Sequence, residues 1–303
     1  MAMMGKLGWD RTLRWLTGVA AFSILGMLGL LISQISYYGW ERLTWEFLSG
    51  TPRAGMTEGG IFPAIYGTAL LVVLMSIFVV PFGVLVAIYF SEYADRAGWL
   101  YRISRQAVNN LAGVPAIVFG LFGLGFFVQF AGRAVDRAVY DGALTYGQPA
   151  LLWAALTMSV LTLPVVIVSV EEALQAVPQT FREASYALGG TKSQTIFRVV
   201  LPHALPGVLT GGILAVSRGA GEVAPILFVG AAYYLPELPT QLNHQFMELG
   251  YHIFILSTQS PDVEATKPLL YTTVLVLLGL TFLLNSVAIV IRGRMRAALR
   301  SAR

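Results

Sequence analysis

The sequence predicts an all-α membrane protein with about six transmembrane helices. Hydrophobic residues make up 56% of its 303 residues and charged residues only 12%, whereas a soluble domain carries about 25% charged residues. Five windows without Asp, Glu, Lys or Arg exceed the roughly 20 residues that a span needs. A sixth apolar stretch contains two charges, Arg218 and Glu222. The composition therefore excludes an ordinary soluble enzyme.

Each predicted span follows from one of these apolar stretches. The first follows three basic residues and is too long for the 7–15-residue core of a signal peptide, so we expect it to stay uncleaved. The fourth ends at Glu171, and the sixth runs into an arginine-rich tail. The patch 251–256 is too short to span and is expected at the membrane interface or against the bundle. The spans are placed at about 12–37, 63–90, 107–131, 149–170, 204–232 and 269–291.

The distribution of basic residues predicts the orientation of the chain. If the N-terminus is cytoplasmic, 14 of the 20 lysines and arginines lie in inner segments and five in outer loops. The positive-inside rule then places both termini in the cytoplasm. The net charge of +4 reflects this topology, and no nucleic-acid partner is expected. We predict one transmembrane domain over residues 1–303.

The residue inventory leaves little room for catalysis. The chain has no cysteine and three histidines, so no metal site is expected. No zinc-protease motif or nucleophile with a matching base is present. The run from Gly189 to Ser193 resembles a nucleotide-binding loop, but Thr191 separates the glycines from Lys192 and no strand precedes it. We expect no catalytic residues and no cofactor bound by this chain.

The segment 171–203, between the fourth and fifth spans, is predicted to be a cytoplasmic loop because it is too charged for lipid. Pro178 suits a helix start and Gly189-Gly190 a helix stop, which predicts a short helix from Gln179 to Leu188. A second short helix is predicted from Thr191, as its cap, to about Val200, ending before Pro202.

One face of the first short helix carries small residues beside a carboxylate. Glu183, Ala184 and Ala187 lie near one another at helical spacing. Such a face can dock into a groove on another protein. The alternative is that the loop is only an amphipathic connector between two spans.

The same residues carry a family resemblance. The signature of ABC-importer permeases is E-A-A, three residues, G, nine residues, I-x-L-P. This chain has Glu183-Ala184-Ser185, Gly189 and Val199-Val200-Leu201-Pro202 at that spacing, with Ser185 and Val199 as conservative departures. The resemblance implies the MetI-like permease fold and a coupling loop, with Ala187 on its docking face, that seats in an ATP-hydrolysing partner subunit. ATP and magnesium would then be bound by that partner.

Arg218 and Glu222 are candidates for the substrate path, since charges inside a membrane are costly and often functional. Four residues apart, they share a helix face and can pair. An arginine fork suits phosphate or sulfate because it offers several donors in one plane and stays charged. Gly219 and Gly221 leave room for close approach. A purely structural lock between the fifth span and a neighbouring span is the alternative from the residues alone.

Three longer segments resemble the phosphate-importer permeases of the PstA type. They are GGIFPAIYGTALL at 59–71, NNLAGVPAIVFGLFGLGFF at 109–127 and SRGAGEVAPILF at 217–228. The resemblance implies import of inorganic phosphate along a path that includes Arg218 and Glu222. It also implies a second, PstC-like permease, two PstB-like ATPase subunits and an external PstS-like phosphate-binding protein as partners.

One position departs from this family pattern. Many such chains have an arginine a few residues after the proline of the fourth span, where this chain has Val168 after Pro164. A second anion contact is then absent or supplied by another subunit. Permeases for sulfate, molybdate or phosphonate remain alternatives, as does a self-sufficient secondary transporter, which would require inverted repeats that the sequence does not display.

Overall fold

The computed structural model describes residues 2–53, 58–260 and 263–301. The remaining positions of the predicted single domain lie outside the described residues. The helices found within the described part are α1 (Ala2–Gly39), α2 (Trp45–Ser49), α3 (Phe62–Ile88), α4 (Trp99–Ala112), α5 (Ala116–Phe122), α6 (Arg133–Val139), α7 (Leu151–Gln175), α8 (Gln179–Ala187), α9 (Lys192–Thr195), α10 (Leu201–Gly219), α11 (Leu249–Thr258) and α12 (Val263–Ser301).

Three π-helical segments extend or join these helices. One, Tyr89–Tyr93, prolongs α3, the second, Gly123–Gly132, joins α5 to α6, and the third, Ile196–Val200, joins α9 to α10. A two-stranded antiparallel hairpin pairs β1 (Pro52–Arg53) with β2 (Glu58–Gly59). Apart from this hairpin and one isolated bridge, the described chain is helical or irregular, and the predicted all-α class is confirmed.

Six helical stretches are long and apolar enough to cross a membrane, which agrees with the predicted number. They are Thr12–Gly39, Phe62–Tyr93, Ala116–Val139, Leu151–Gln175, Lys192–Gly219 and Val263–Met295.

The core is built by α3, α7 and α10, which pack on one another along most of their lengths. Met75, Met158 and Val166 are fully buried between them. The outer pair, α1 and α12, pack together. The tyrosine rings of Tyr38 and Tyr271 stack at 5.2 Å between ring centroids. From Thr12 onward, most large side chains of α1 are exposed, as expected for a helix that faces lipid or a partner subunit.

The third span differs from its predicted position of 107–131. Residues up to Ala112 belong to α4, and the span begins only at Ala116. Pro115 explains the break because it has no N–H to donate and disfavours helical geometry in the residue before it. In α4 no side chain is buried, and Arg102 and Arg105 share the helix with apolar residues. The helix therefore suits the membrane surface and not its interior.

The fifth span also differs from its predicted range of 204–232. It starts at Lys192 and ends at Gly219, so the second loop helix does not stop at Val200 as predicted. The π-helical segment Ile196–Val200 carries the chain into α10 without an interruption of the helical stretch before Pro202. After Gly219 the chain turns irregularly through Pro225. Proline and two nearby glycines account for this early end.

The other spans are longer than predicted. The fourth continues to Gln175, so that Glu171, the first residue of the predicted loop, is a buried helical residue. The apolar patch near Tyr251 forms α11, which packs on α12 and α3. This agrees with the expectation that it packs against the bundle.

Candidate functional site

The loop between α7 and α10 is a compact turn of two short helices. Helix α8 begins directly after Pro178 and gives way to Gly189, whose φ of +80° lies in the left-handed region that glycine tolerates best. The N–H of Gly190 donates to the carbonyl of Ser185 at 2.9 Å. The sequence-predicted start and stop of this helix are both confirmed.

Helix α9 begins with a capping box, as the N-cap assignment of Thr191 predicts. The hydroxyl of Thr191 accepts the N–H of Gln194 at 3.3 Å, and the Gln194 side chain accepts the N–H of Thr191 at 3.0 Å. This reciprocal pair satisfies two N–H groups that a helix start leaves free. Thr191, which breaks the resemblance to a nucleotide-binding loop, therefore has a structural role.

The signature residues divide into an exposed set and an inner set. Glu183, Ala184, Ala187 and Gly189 are all exposed, and Leu188 beside them is 90% exposed. We call the surface of these five residues the coupling face. Its small residues beside one carboxylate match the face predicted for a docking helix, and Leu188 adds an apolar side chain.

The inner set holds the loop together. The hydroxyl of Ser185 lies 2.8 Å from that of Thr195, which ties α8 to α9. Leu201 and Pro202, at the start of α10, are half-buried. The ring of Phe181 packs at 4.8 Å from that of His203 and fixes α8 against α10. The structure thus separates Ser185, Leu201 and Pro202 from the exposed signature residues.

One residue of the loop was missed as a site residue. The guanidinium of Arg182 donates to Glu92, at the end of the second span, at 2.8 Å. The two side chains are only 11% and 10% exposed. Opposite charges on the inner side were visible in the sequence, but 90 residues separate the partners, and no local pattern signals their contact.

Arg218 and Glu222 pair as predicted, although the local geometry differs. Their closest atoms, Nε and Oε1, are 3.5 Å apart, and the side chains are 39% and 28% exposed. Arg218 lies in the last turn of α10, where the helix dipole favours a cation. Glu222 lies beyond the helix, in the irregular segment 220–230. The prediction that both residues are helical is therefore wrong, while the prediction of their contact is confirmed.

Small residues seat the segment 220–230 on its neighbours. A Cβ at Gly219 would lie 2.6 Å from Met75, and one at Gly120 would lie 3.0 Å from the carbonyl oxygens of Ala224 and Pro225. Gly221 has open space where a Cβ would stand. Irregular backbone in a membrane protein is tolerated where protein covers it or where it lines a cavity. This segment is covered on one side and accessible beside the ion pair.

Val168 lies half-buried on α7, one turn after Pro164, and supplies no second cation. The glycines in and just before the third span differ in their surroundings. Gly120 and Gly123 contact neighbours, whereas Gly113 has only its own turn nearby and Gly125 has nothing within 4 Å. Within the described residues, no group of three or more His, Cys, Asp and Glu is arranged to hold a metal ion.

Residues 79–297 match the family model of the binding-protein-dependent transport system inner membrane component. The chain is 38% identical to phosphate transport system permease protein PstA 1 of Mycobacterium tuberculosis, over 69% of this chain and 64% of that one. It thus spans somewhat less than two thirds of that relative's length. The permease protein PstA of Yersinia pestis is 32% identical over 81% of this chain and 76% of its own.

A solved structure has the same architecture. The crystal structure of a bacterial ABC transporter involved in the import of the acidic polysaccharide alginate matches with a TM-score of 0.59. The match covers 98% of this chain and 96% of that one at 16% identity. This likeness establishes the fold of an ABC-importer permease.

Proposed function

Because this chain belongs to the binding-protein-dependent transport inner membrane components and to the PstA-type permease family within them, we propose that it is the membrane-spanning permease subunit of an ATP-driven importer of inorganic phosphate. The chain itself carries out no chemistry. Alternating access is driven by ATP-hydrolysing partner subunits that bind ATP and magnesium and act on the loop 178–202.

The observation that carries this proposal is the coupling face on α8. Its exposed small residues, its single carboxylate at Glu183 and its position between two spans suit a helix that inserts into a groove of a partner protein. Leu188, at the tip of this charged loop, is 90% exposed beside the small residues. Docking of the ATPase would cover it.

The proposed orientation follows from the same loop. With the coupling face in the cytoplasm, both termini are cytoplasmic, and α10 runs outward to Arg218. The 16 residues from Pro202 to Arg218 extend about 24 Å along the helix axis. The coupling face and the proposed anion contact therefore lie near opposite ends of one helix, so that a tilt of this helix moves both.

Arg218 supplies the cationic contact for the anion. Its Nε is engaged by Glu222 at 3.5 Å, while the side chain is 39% exposed, which leaves donors of the guanidinium accessible to a phosphate oxygen. The carboxylate of Glu222 competes for the same guanidinium. This competition keeps the affinity low enough for the cargo to be released.

The proposed partners are a second, PstC-like permease, two PstB-like ATPase subunits and an external PstS-like binding protein. The departure at Val168 favours a second permease, which would supply the additional cation for the anion. The inner membrane of a bacterial cell is the proposed location.

The test is uptake by proteoliposomes that contain this chain with those partners. Radiolabelled phosphate should accumulate only when ATP is present on the ATPase side, and unlabelled phosphate should compete better than sulfate, molybdate or phosphonate. Uptake of one of those other anions without uptake of phosphate would assign the chain to a different oxyanion. ATP-independent uptake by the chain alone would overturn the proposal.

A further inference from the structure

The inner end of α3 is held by a loop to which it has no direct chain connection. Glu92, in the π-helical segment that ends this span, accepts a hydrogen bond from Arg182 of α8 at 2.8 Å. The chain links α8 to α7 and α10 but not to α3. The ion pair therefore brings a third span into contact with the coupling loop.

The guanidinium of Arg182 binds α7 at the same time. One terminal nitrogen donates to the carbonyl of Leu174 at 2.9 Å and the other to that of Val177 at 2.7 Å. These carbonyls lie at the C-terminal end of α7, where a helix leaves acceptors free and the dipole favours a cation. One side chain thus joins the ends of α3 and α7 to the coupling helix.

The pair is held tightly because both charges are shielded from water. The Arg182 and Glu92 side chains are 11% and 10% exposed, and separating a buried pair leaves a charge without solvent or partner, which is strongly unfavourable. A second contact acts on the same segment from the other side of the loop. The ammonium of Lys192 lies 4.9 Å from the ring centroid of Tyr93, within the range of a cation–π interaction.

Helix α3 connects this contact to the proposed anion site. Met75 lies 17 positions before Glu92, about 25 Å away along the helix axis. It contacts the backbone of Gly219, the residue after Arg218, closely enough that a Cβ there would lie 2.6 Å from its methyl group. A displacement of the inner end of α3 therefore reaches the turn that carries Arg218.

We propose that Glu92 and Arg182 form a latch that makes α3 move with the coupling loop during each ATP cycle. Both are positioning residues, and neither touches ATP or the anion. This inference rests on the proposed function, since it requires a partner ATPase that moves the loop. The neighbouring pair of Arg105 and Glu171 does not meet the same description, because it joins the surface helix α4 to α7.

The test uses Glu92→Gln, which removes the charge with little change of shape, and Glu92→Asp, which keeps the charge on a shorter side chain. Glu172→Gln is the matched control, since it neutralises an exposed glutamate at the inner end of α7. All are assembled with the partner subunits in proteoliposomes. Phosphate uptake is then divided by ATP hydrolysed in the same sample.

We expect Glu92→Gln to associate with the ATPase and hydrolyse ATP while uptake per ATP falls by at least about tenfold. Glu92→Asp should recover most of the loss, which a merely space-filling role would not predict. Glu172→Gln should behave like the unmodified chain. Unchanged uptake per ATP in Glu92→Gln would overturn the latch.

A second readout is independent of the cargo. Because the chain has no cysteine, Ala94→Cys and Tyr186→Cys introduce two spin labels, one beside the end of α3 and one on α8. Their separation should stay the same with and without ATP, and with Glu92→Gln it should change or broaden when ATP is added. Equal behaviour of the two proteins would contradict the latch.

The two readouts separate the two proposals. If the unmodified complex hydrolyses ATP without taking up phosphate, the proposed cargo is wrong, and the label distances still decide on the latch. If Glu92→Gln does not assemble with the ATPase, the latch is tested with Glu92→Asp. In that variant, a label separation that ATP leaves unchanged, together with preserved uptake per ATP, supports the latch. Loss of either result contradicts it.

Discussion

The hydroxyl of Thr68 lies 3.4 Å from a carboxylate oxygen of Glu248, although 180 residues separate them along the chain. The same hydroxyl accepts the N–H of Leu249 at 2.9 Å. Glu248 caps α11 by accepting the N–H groups of Gly250 at 2.8 Å and Tyr251 at 2.6 Å. A buried carboxyl thus docks the short outer helix onto the second span.

This buried cap predicts a pH-dependent stability. Burial raises the pKa of Glu248 to about 7, against lowering contributions from its hydrogen bonds with Gly250, Tyr251 and Thr68. Since the unfolded value is 4.5, the folded chain binds the proton more tightly. The stabilisation is complete below pH 4.5 and is lost as the pH rises through 7, by about 3 kcal/mol.

The buried His252 acts in the opposite direction. Burial lowers its pKa from 6.5 to about 4, so its contribution is complete above pH 6.5 and is lost as the pH falls toward 4. The two effects overlap between pH 4.5 and 6.5 and partly cancel. The measurement must therefore compare matched proteins and not one protein at two pH values.

The appropriate comparison is the free energy of unfolding in detergent of the unmodified chain and of Glu248→Gln, which retains His252. The difference between them should favour the unmodified chain more at pH 4.5 than at pH 7. A difference that does not vary over this range would contradict the assignment of a shifted pKa to Glu248.

Close helix packing predicts different effects for two glycines of the same span. A Cβ at Gly123 would overlap the Thr157 hydroxyl and lie 2.8 Å from Val229. Gly123→Ala should therefore destabilise the chain by about 1–3 kcal/mol through overpacking. Gly125→Ala, with nothing within 4 Å, should be neutral or stabilise by up to about 1 kcal/mol. Thermal unfolding of the isolated chain in detergent measures the change in stability for each variant. Equal changes for Gly123→Ala and Gly125→Ala would contradict the packing argument.

The coupling face predicts a loss of association on charge reversal. Glu183 is exposed on α8, so Glu183→Arg should leave insertion and folding intact while reducing co-purification of the ATPase by at least about tenfold, because it places a bulkier side chain of reversed charge in a fitted groove. Glu172→Arg, at an exposed position on α7, is the control and should co-purify normally. Normal co-purification of Glu183→Arg would exclude α8 as the docking element. Gly189 is less suitable because its positive φ strains any replacement.

Hydropathy predicted the existence and order of the spans because each needs a long apolar run in lipid. It did not locate their ends where a proline or glycine interrupts an apolar run, as at Pro115 and after Gly219. Local chemistry predicted the caps at Thr191 and Gly189, since those interactions join residues only a few positions apart. Glu171 was assigned to the loop because we took a charged residue to end the span. In the fold, Glu171 stays in the helix and forms a salt bridge with Arg105.

The candidate site was predicted in the same uneven way. The contact of Arg218 with Glu222 was foreseen from their spacing, although Glu222 lies beyond the end of the helix on which that argument rested. The contacts of Arg182 with Glu92 and of Thr68 with Glu248 depend on which spans lie side by side, and a single sequence does not encode that in any local pattern. Contacts between different spans were therefore missed, while contacts within one short segment were found.

The most direct test of the account compares two arginine variants in the complete transporter. The guanidinium of Arg292, in α12, donates to the hydroxyl of Thr210, in α10, at 3.0 Å. Arg292→Ala therefore serves as the control for loss of a guanidinium. ATP-driven uptake of radiolabelled phosphate is measured with ATPase association in the same samples. The account predicts that Arg218→Ala abolishes uptake while the ATPase still binds, and that Arg292→Ala retains uptake. Full uptake by Arg218→Ala would contradict it and return the pair with Glu222 to a structural role.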